Sequence, residues 1–261
     1  MLAGLALSLA AAIVVFVAGW LVGRRIGRYN VVDVTWGLAF VAIAVTALLS
    51  ARGVSGVSTG RQWLLLVLTA VWGVRLATYI GVRSRGHGED PRYDAMLDRA
   101  TGSRDVYALI HVFLLQAAVA WFVSLPVQVA MFERSGLGAL AVVGVVLWGI
   151  GFGFEAVGDA QLAAFKRDPD NRGEVMDRGL WRYTRHPNYF GEACLWIGFY
   201  LIAAQQWVGA ATVLSPVAMI YFVAAKTGKP LLERMMADTK PGYADYVRRT
   251  SGFFPLPPRK A

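Results

Sequence analysis

The sequence predicts an all-α, polytopic membrane fold: a seven-transmembrane-helix bundle with its N-terminus outside and its C-terminus cytoplasmic. Three observations predict it. Hydrophobic residues make up 56% of the 261 residues and charged ones only 16%, where a water-soluble domain carries roughly 25% charged residues. Apolar runs near the ~20 residues that cross hydrocarbon recur along the chain. The basic residues are also partitioned: of 26 Lys and Arg, 22 fall on connections of one side and three (Arg52, Arg61, Arg134) on the other. Basic loops stay on the cytoplasmic side.

The first apolar run, Leu2–Val22, has no basic residues ahead of it and is followed by Arg24-Arg25, which suits an uncleaved first span. Val32–Ser50 and Trp63–Val82 follow, joined by a short Gly/Ser-rich outside connection, Arg52–Gln62. Val106–Met131 and Leu137–Phe165 are the fourth and fifth runs, with Glu133–Gly136 between them. The sixth and seventh, Tyr189–Ala204 and Trp207–Ala225, are short and share a turn near Gln205-Gln206. Inside connections are long and polar: 83–104, 166–188 and a tail, 226–261. In the tail, Leu231–Met236 reads as an amphipathic helix at the interface. No repeat or linker interrupts the chain, so 1–261 is expected to form a single membrane-embedded domain.

Composition also excludes functions. The net charge of +9 follows topology rather than forming a nucleic-acid face. The one cysteine, Cys194, lies in an apolar run, so no intramolecular disulfide forms. His87, His111 and His186 are scattered, and no metal site is expected. Gly149-x-Gly151-x-Gly153 lies in a membrane run with no strand before it, so it is not a dinucleotide fingerprint. Together with Gly144 and with Gly19-x3-Gly23-x3-Gly27 it reads as a helix-packing surface.

The chemistry gathers on the inside face. Glu155 and Asp159, four apart, share one face of the fifth run. A carboxylate in hydrocarbon costs roughly 2.5 kcal/mol even on insertion scales. The pair therefore implies a shared cation, a water-filled cavity, a hydrogen-bonded ligand or an ion pair with an arginine such as Arg75. Lys166, Arg167, Asn171, Arg172, Arg178, Arg182 and Arg185 make the following loop cationic. Guanidinium groups grip phosphate bidentately, although a basic loop also serves topology alone. Tyr183 precedes Arg185-His186-Pro187-Asn188-Tyr189, which adds uncharged donors. Pro187 suits a first helical turn, whose free N–H groups attract anions. Asn188 and Glu192 then share a face. A further cluster, Arg83-Ser84-Arg85-Gly86-His87-Gly88-Glu89-Asp90-Pro91-Arg92-Tyr93, alternates glycines with charges, as a loop approaching a ligand does.

Gly179-Leu180-Trp181 and Arg185-His186-Pro187-Asn188-Tyr189-Phe190-Gly191-Glu192 resemble the C-terminal signature of the steroid 5-alpha-reductase family. The whole chain is similar to its bacterial DUF1295 branch, also through Gly88-Glu89-Asp90-x-Arg92-Tyr93 and the tail Pro241-Gly242-Tyr243 through Arg248-Arg249-Thr250. The resemblance implies a seven-helix reductase that takes NADPH from the cytosolic side and a lipid-like substrate from the bilayer. It implies cofactor contacts at Asp159 and Lys166, with Glu155 where steroid reductases carry asparagine. Asn188 and Glu192 match the nicotinamide-binding asparagine and glutamate, and Arg75 and Tyr79 match an arginine and a tyrosine of the third span. Trp72 stands where steroid reductases place the tyrosine that polarises a carbonyl, and Asp33 is the acid nearest to their second-span glutamate. Their arginine–histidine–tyrosine set has no counterpart around Lys226–Lys229.

The expected function is hydride transfer from NADPH to an activated C=C bond of a steroid, isoprenoid or fatty enone, in a bacterial inner membrane. Catalytic roles are expected at Asp33, Tyr79 and Glu192. Cofactor contacts are expected at Arg75, Arg85, Asp90, Arg92, Tyr93, Glu155, Asp159, Lys166, Asn171, Arg172, Arg182, Tyr183, Arg185, His186, Asn188, Tyr189 and Glu192. Partners are the substrate and membrane lipids, with no nucleic acid. Two other readings stand beside it. Membrane methyltransferases of the isoprenylcysteine and phospholipid type, which use S-adenosylmethionine, carry a similar Arg-His-Pro motif but add a Glu-Glu pair where this chain has Glu233-Arg234. A lipid-binding protein without chemistry is the third.

Overall fold

A computed structural model describes residues 1–226 and 228–259. Thr227, within the Lys226–Lys229 stretch, and Lys260, counted in the basic tail, lie outside the described residues. All named elements among the described residues are helical, and six helices are long and apolar enough to cross a membrane. The chain is a multi-pass membrane protein. It forms two compact units, Met1–Leu137 with Gln206–Gly209, and Gly138–Gln205 with Ala210–Ala261.

In the first unit, α1 (Leu2–Ile26), α2 (Val31–Ala51) and α3 (Thr59–Arg83) are packed in sequence order. α2 is the middle helix and buries Val32, Ala39, Phe40, Ile43 and Ala47. Phe16, Trp36, Phe40 and Trp72 meet edge-on in a chain with ring centroids 5.2–6.3 Å apart. Trp72 is therefore a fully buried core residue of this unit. α2 and α3 approach closely where Gly37 faces Gly73, since a Cβ on Gly73 would lie 2.5 Å from the Gly37 carbonyl. α3 starts at Thr59, earlier than the sequence suggests, because Ser58 caps it by accepting from Arg61 N. This start carries Arg61 out of the expected loop and into a buried ion pair with Glu133. Arg61 Nη2 also donates to Ser135 Oγ and the Gly136 carbonyl, both at 2.9 Å.

The short α4 (Pro91–Leu97) precedes α5 (Arg104–Val123). The fourth run, expected to continue to Met131, instead breaks at Ser124, and α6 (Leu125–Ala130) follows. Pro126 is the physical cause, since it has no N–H to continue the ladder. Gln128 Nε2 donates across the break to the Trp121 carbonyl at 2.8 Å. α5 also carries a wide π-helical stretch at Leu109–Leu114.

The second unit is built on α7 (Ala139–Arg167) and α8 (Pro187–Ala203), followed by α9 (Trp207–Ala225, of which Ala210 onward belongs here), α10 (Lys229–Thr239) and α11 (Tyr243–Arg249). Its central contact is a glycine register. Gly144, Gly151 and Gly158 on α7, seven apart, face Gly198, Gly191 and Pro187 on α8. A Cβ at Gly198 would lie 2.6 Å from the Gly144 carbonyl, and one at Gly191 2.5 Å from that of Gly151. The expected packing surface thus includes Gly144 and Gly151 but not Gly149 or Gly153, which face open space. With 3.6 residues per turn, a spacing of seven keeps a residue on one face, whereas a spacing of two does not.

Candidate functional site

In the first unit the polar groups gather at the α2 start and the 83–93 loop. Glu89 caps α2, accepting from the backbone N–H of Tyr29 and, at 2.8 Å, of Asn30. Arg28 donates to the carbonyls of Ser84 and His87. Together these fix the Gly-rich loop to the α1–α2 turn. α4 begins at Pro91 with Asp90 as its cap, and its first turn brings Tyr93 back to α2, where the Tyr93 hydroxyl donates to Asp33 Oδ1 at 2.6 Å. Arg92 grips Asp90 bidentately at 2.9 and 2.8 Å, and its Nη2 lies 3.9 Å from Asp33 Oδ2.

Burial, followed by the Asp33 charge, raises the Tyr93 phenol well above its ordinary value, so it keeps its proton. The Arg92 hydrogen bond outweighs burial and holds the Asp90 carboxyl below its ordinary value. Tyr79, expected as a donor, is flanked by Arg75 and Arg83 at 5.7 and 5.5 Å from its ring centre. Arg85 is exposed.

In the second unit Glu155 and Asp159 are both buried, 4% and 6% exposed, one turn apart on α7. Gly158 between them packs on Pro187, and the Glu155 amide lies beside Gly191, so the acids sit level with the first turns of α8. That helix carries Asn188 and Glu192, both half-buried. Asn188 Oδ1 accepts from Tyr189 N at 3.0 Å. Lys166, in the last turn of α7, and Arg172, beyond its end, are exposed. Asn171 donates to the Phe165 carbonyl at 3.1 Å, closing the last turn of α7.

The loop after α7 folds back through Trp181 of the Gly179-Leu180-Trp181 stretch and through Gln161, which the sequence did not flag. Trp181 Nε1 donates to the Gly158 carbonyl at 2.9 Å, and Gln161 Oε1 accepts from Leu180 N at 2.9 Å. The tail runs alongside it. Arg185 N donates to the Ser251 carbonyl, Thr184 Oγ1 to that of Phe253, and Leu256 N to that of Tyr183.

At the centre of this lock Glu233, on α10, accepts from Arg185 Nε at 2.9 Å and faces His186 Nε2 at 3.1 Å. Arg185 Nη1 donates to the Thr250 carbonyl at 2.7 Å. The His186 ring stacks on Tyr189, with centroids 5.4 Å apart. Burial pushes the His186 imidazole below its ordinary value, with Glu233 opposing. Burial alone would raise Glu233, but hydrogen bonds from His186 and Arg185 hold it below its ordinary value. Glu233 was missed as a site residue. Its signal was an acid interrupting the apolar run Leu231–Met236. Among the described residues no three His, Cys, Asp or Glu side chains converge as a metal site.

A family profile described as "Protein of unknown function (DUF1295)" matches residues 19–250. The chain belongs to the DUF1295 family. DUF1295 proteins are steroid 5-alpha-reductase-like. The uncharacterized protein C594.04c of Schizosaccharomyces pombe is 25% identical over 253 residues, covering 86% of this chain and 72% of the relative. Arg185-His186-Pro187 and Gly88-Glu89-Asp90, the stretches that carry the resemblance, both fall within the matched range. In this DUF1295 protein each of them is a structural junction as well as a polar cluster.

Proposed function

We propose that this DUF1295 protein is an NADPH-dependent reductase acting on an activated C=C bond of a lipid-like substrate. The observation that carries the reading is the buried Glu155–Asp159 pair level with the start of α8. Carboxylates on an apolar helix are costly to bury, and these two stand level with the helix start that carries Asn188 and Glu192. The residues fit such a cofactor in kind: carboxylate and amide groups gather there, and Lys166 and Arg172 are exposed at the surface. NADPH supplies the hydride when bound. The chain's own part is to orient the nicotinamide end through Asn188 and Glu192.

A proton must also reach the second carbon of the reduced bond. α8, 17 residues long, spans about 26 Å at ~1.5 Å per residue and counts as the seventh span beside a ~30 Å core. The basic loops then lie inside, the N-terminus outside, and the membrane is a bacterial inner membrane.

The test is titration of NADPH, NADH and S-adenosylmethionine into detergent-purified protein. Saturable NADPH binding, weakened about tenfold in Asn188→Ala and Glu192→Ala, is expected, since each removes a half-buried polar contact worth roughly 1.5 kcal/mol. Unchanged affinity in both variants sinks the assignment, and binding of S-adenosylmethionine alone replaces it with a methyltransferase.

A further inference from the structure

The second unit holds a cavity of about 690 Å³ that the reductase reading does not use. Four arginines line it: Arg178 and Arg182 from the loop before α8, Arg249 from the end of α11, and Arg259 from the tail. One carboxylate faces them, Asp177, and it is engaged with Arg249 at 3.0 Å. Arg182 and Arg259 make no ion pair among the described residues. Like charges gathered on a concave surface repel unless an anion joins them, and guanidinium groups match phosphate oxygens bidentately.

The walls are fixed in advance, which lowers the cost of binding. Arg259 N donates to the Arg249 carbonyl at 2.9 Å, and Tyr246 Oη donates to the Trp181 carbonyl at 2.5 Å. Gly179, on the rim, turns the loop at φ +59°, a conformation suited to glycine. A second observation says which anion. Phe254 and Leu256, in the same tail segment, are 65% and 54% exposed. Apolar side chains displayed beside a basic cavity, on a tail that follows membrane helices, suit the headgroup layer of a bilayer. A free metabolite would not require them.

We propose that the Arg178–Arg182–Arg249–Arg259 cavity binds the headgroup phosphate of an anionic phospholipid, with Phe254 and Leu256 seated in the lipid around it. Arg182, expected among the cofactor contacts, is thereby assigned to lipid.

The test is native mass spectrometry of the full-length detergent-purified protein with phosphatidylglycerol, phosphatidylcholine or inorganic phosphate added. Retention of one phosphatidylglycerol in preference to phosphatidylcholine is expected, weakened at least tenfold in Arg249→Gln and in Arg259→Gln. NADPH affinity should not change in either. Arg259→Gln breaks no ion pair, so it keeps the result interpretable if Arg249→Gln loosens the tail. Four results overturn the proposal: no lipid retention, equal retention by both variants, inorganic phosphate binding as tightly as the lipid, or weaker NADPH binding in both variants. The last would return the arginines to the cofactor.

Discussion

Replacing Gly191 by alanine tests the feature on which the second unit depends. The added Cβ would lie 2.5 Å from the Gly151 carbonyl oxygen and 2.7 Å from the Glu155 nitrogen, both backbone atoms that cannot swing aside. Ordinary contact begins at 3.4 Å, so α8 must move away from α7 by close to the 0.9 Å difference between 3.4 and 2.5 Å. Overpacking of this kind costs about 1–3 kcal/mol. At about 2–4 °C per kcal/mol, thermal unfolding in detergent should fall by roughly 2–12 °C. The displacement opens between Glu155 and the helix that carries Asn188 and Glu192. Misplacement on the order of 1 Å costs about a hundredfold in rate, so under the proposed reductase reading turnover should fall more steeply than stability. Gly149→Ala and Gly153→Ala are the controls. Both positions face open space, and alanine is favoured over glycine in a helix by about 0.5–1 kcal/mol. The reasoning fails if Gly191→Ala melts with the parent protein, or if the controls are equally damaging.

Glu233→Gln leaves the Arg185 guanidinium facing a neutral amide and should cost about 2–3 kcal/mol, below the ~3–5 of a fully buried pair because the Glu233 side chain is 24% exposed. Loss of protection against proteolysis in the tail is the readout. The same junction sets a pH dependence. His186 and Glu233 both titrate below their ordinary values of 6.5 and 4.5, so the unfolded chain binds protons before the folded one does. Stability is therefore full near neutrality, begins to fall below about pH 6.5 as His186 is forced to charge, and falls further below about pH 4.5. Melting temperatures recorded across that range check the sign. In the first unit, Arg61→Met strands a buried Glu133 and should cost about 3 kcal/mol or more, while adding Glu133→Leu should restore most of it. A double variant no better than the single one would mean that the pair is not coupled.

Much of the architecture was legible because hydrocarbon imposes length and composition on any helix that crosses it. Apolar runs gave the spans within a few residues, and Pro126 offered the only warning of the break at Ser124. The glycine surface was legible in kind but not in register. Gly149 and Gly153 look like Gly151 in sequence, and only the partner helix selects a period of seven. Among the candidate site residues, Glu155, Asp159, Asn188 and Glu192 stand out because polar groups are conspicuous in apolar runs. The Asp33–Tyr93 contact does not, since the two residues are sixty positions apart and meet only through the first turn of α4.

The Arg185-His186 dipeptide shows why a motif reads as a binding site when much of its work is positional. In a loop beside membrane helices, an exposed arginine and histidine would suit an anion equally well. Here a carboxylate forty-eight residues away takes both side chains, and the Arg185 guanidinium also closes on the Thr250 carbonyl. The adjacent Pro187 begins α8 against Gly158. The dipeptide thus joins the tail to the start of the helix that carries Asn188 and Glu192, and a disturbance at α10 is transmitted to those two side chains through one short segment. A nearby charge-conserving variant separates the roles. Arg185→Lys keeps the charge but cannot reach Glu233 and two carbonyls at once with a planar fork. It should weaken tail protection and leave a cofactor phosphate contact largely intact if position is the role. If a phosphate is the role, NADPH affinity falls while the tail stays closed.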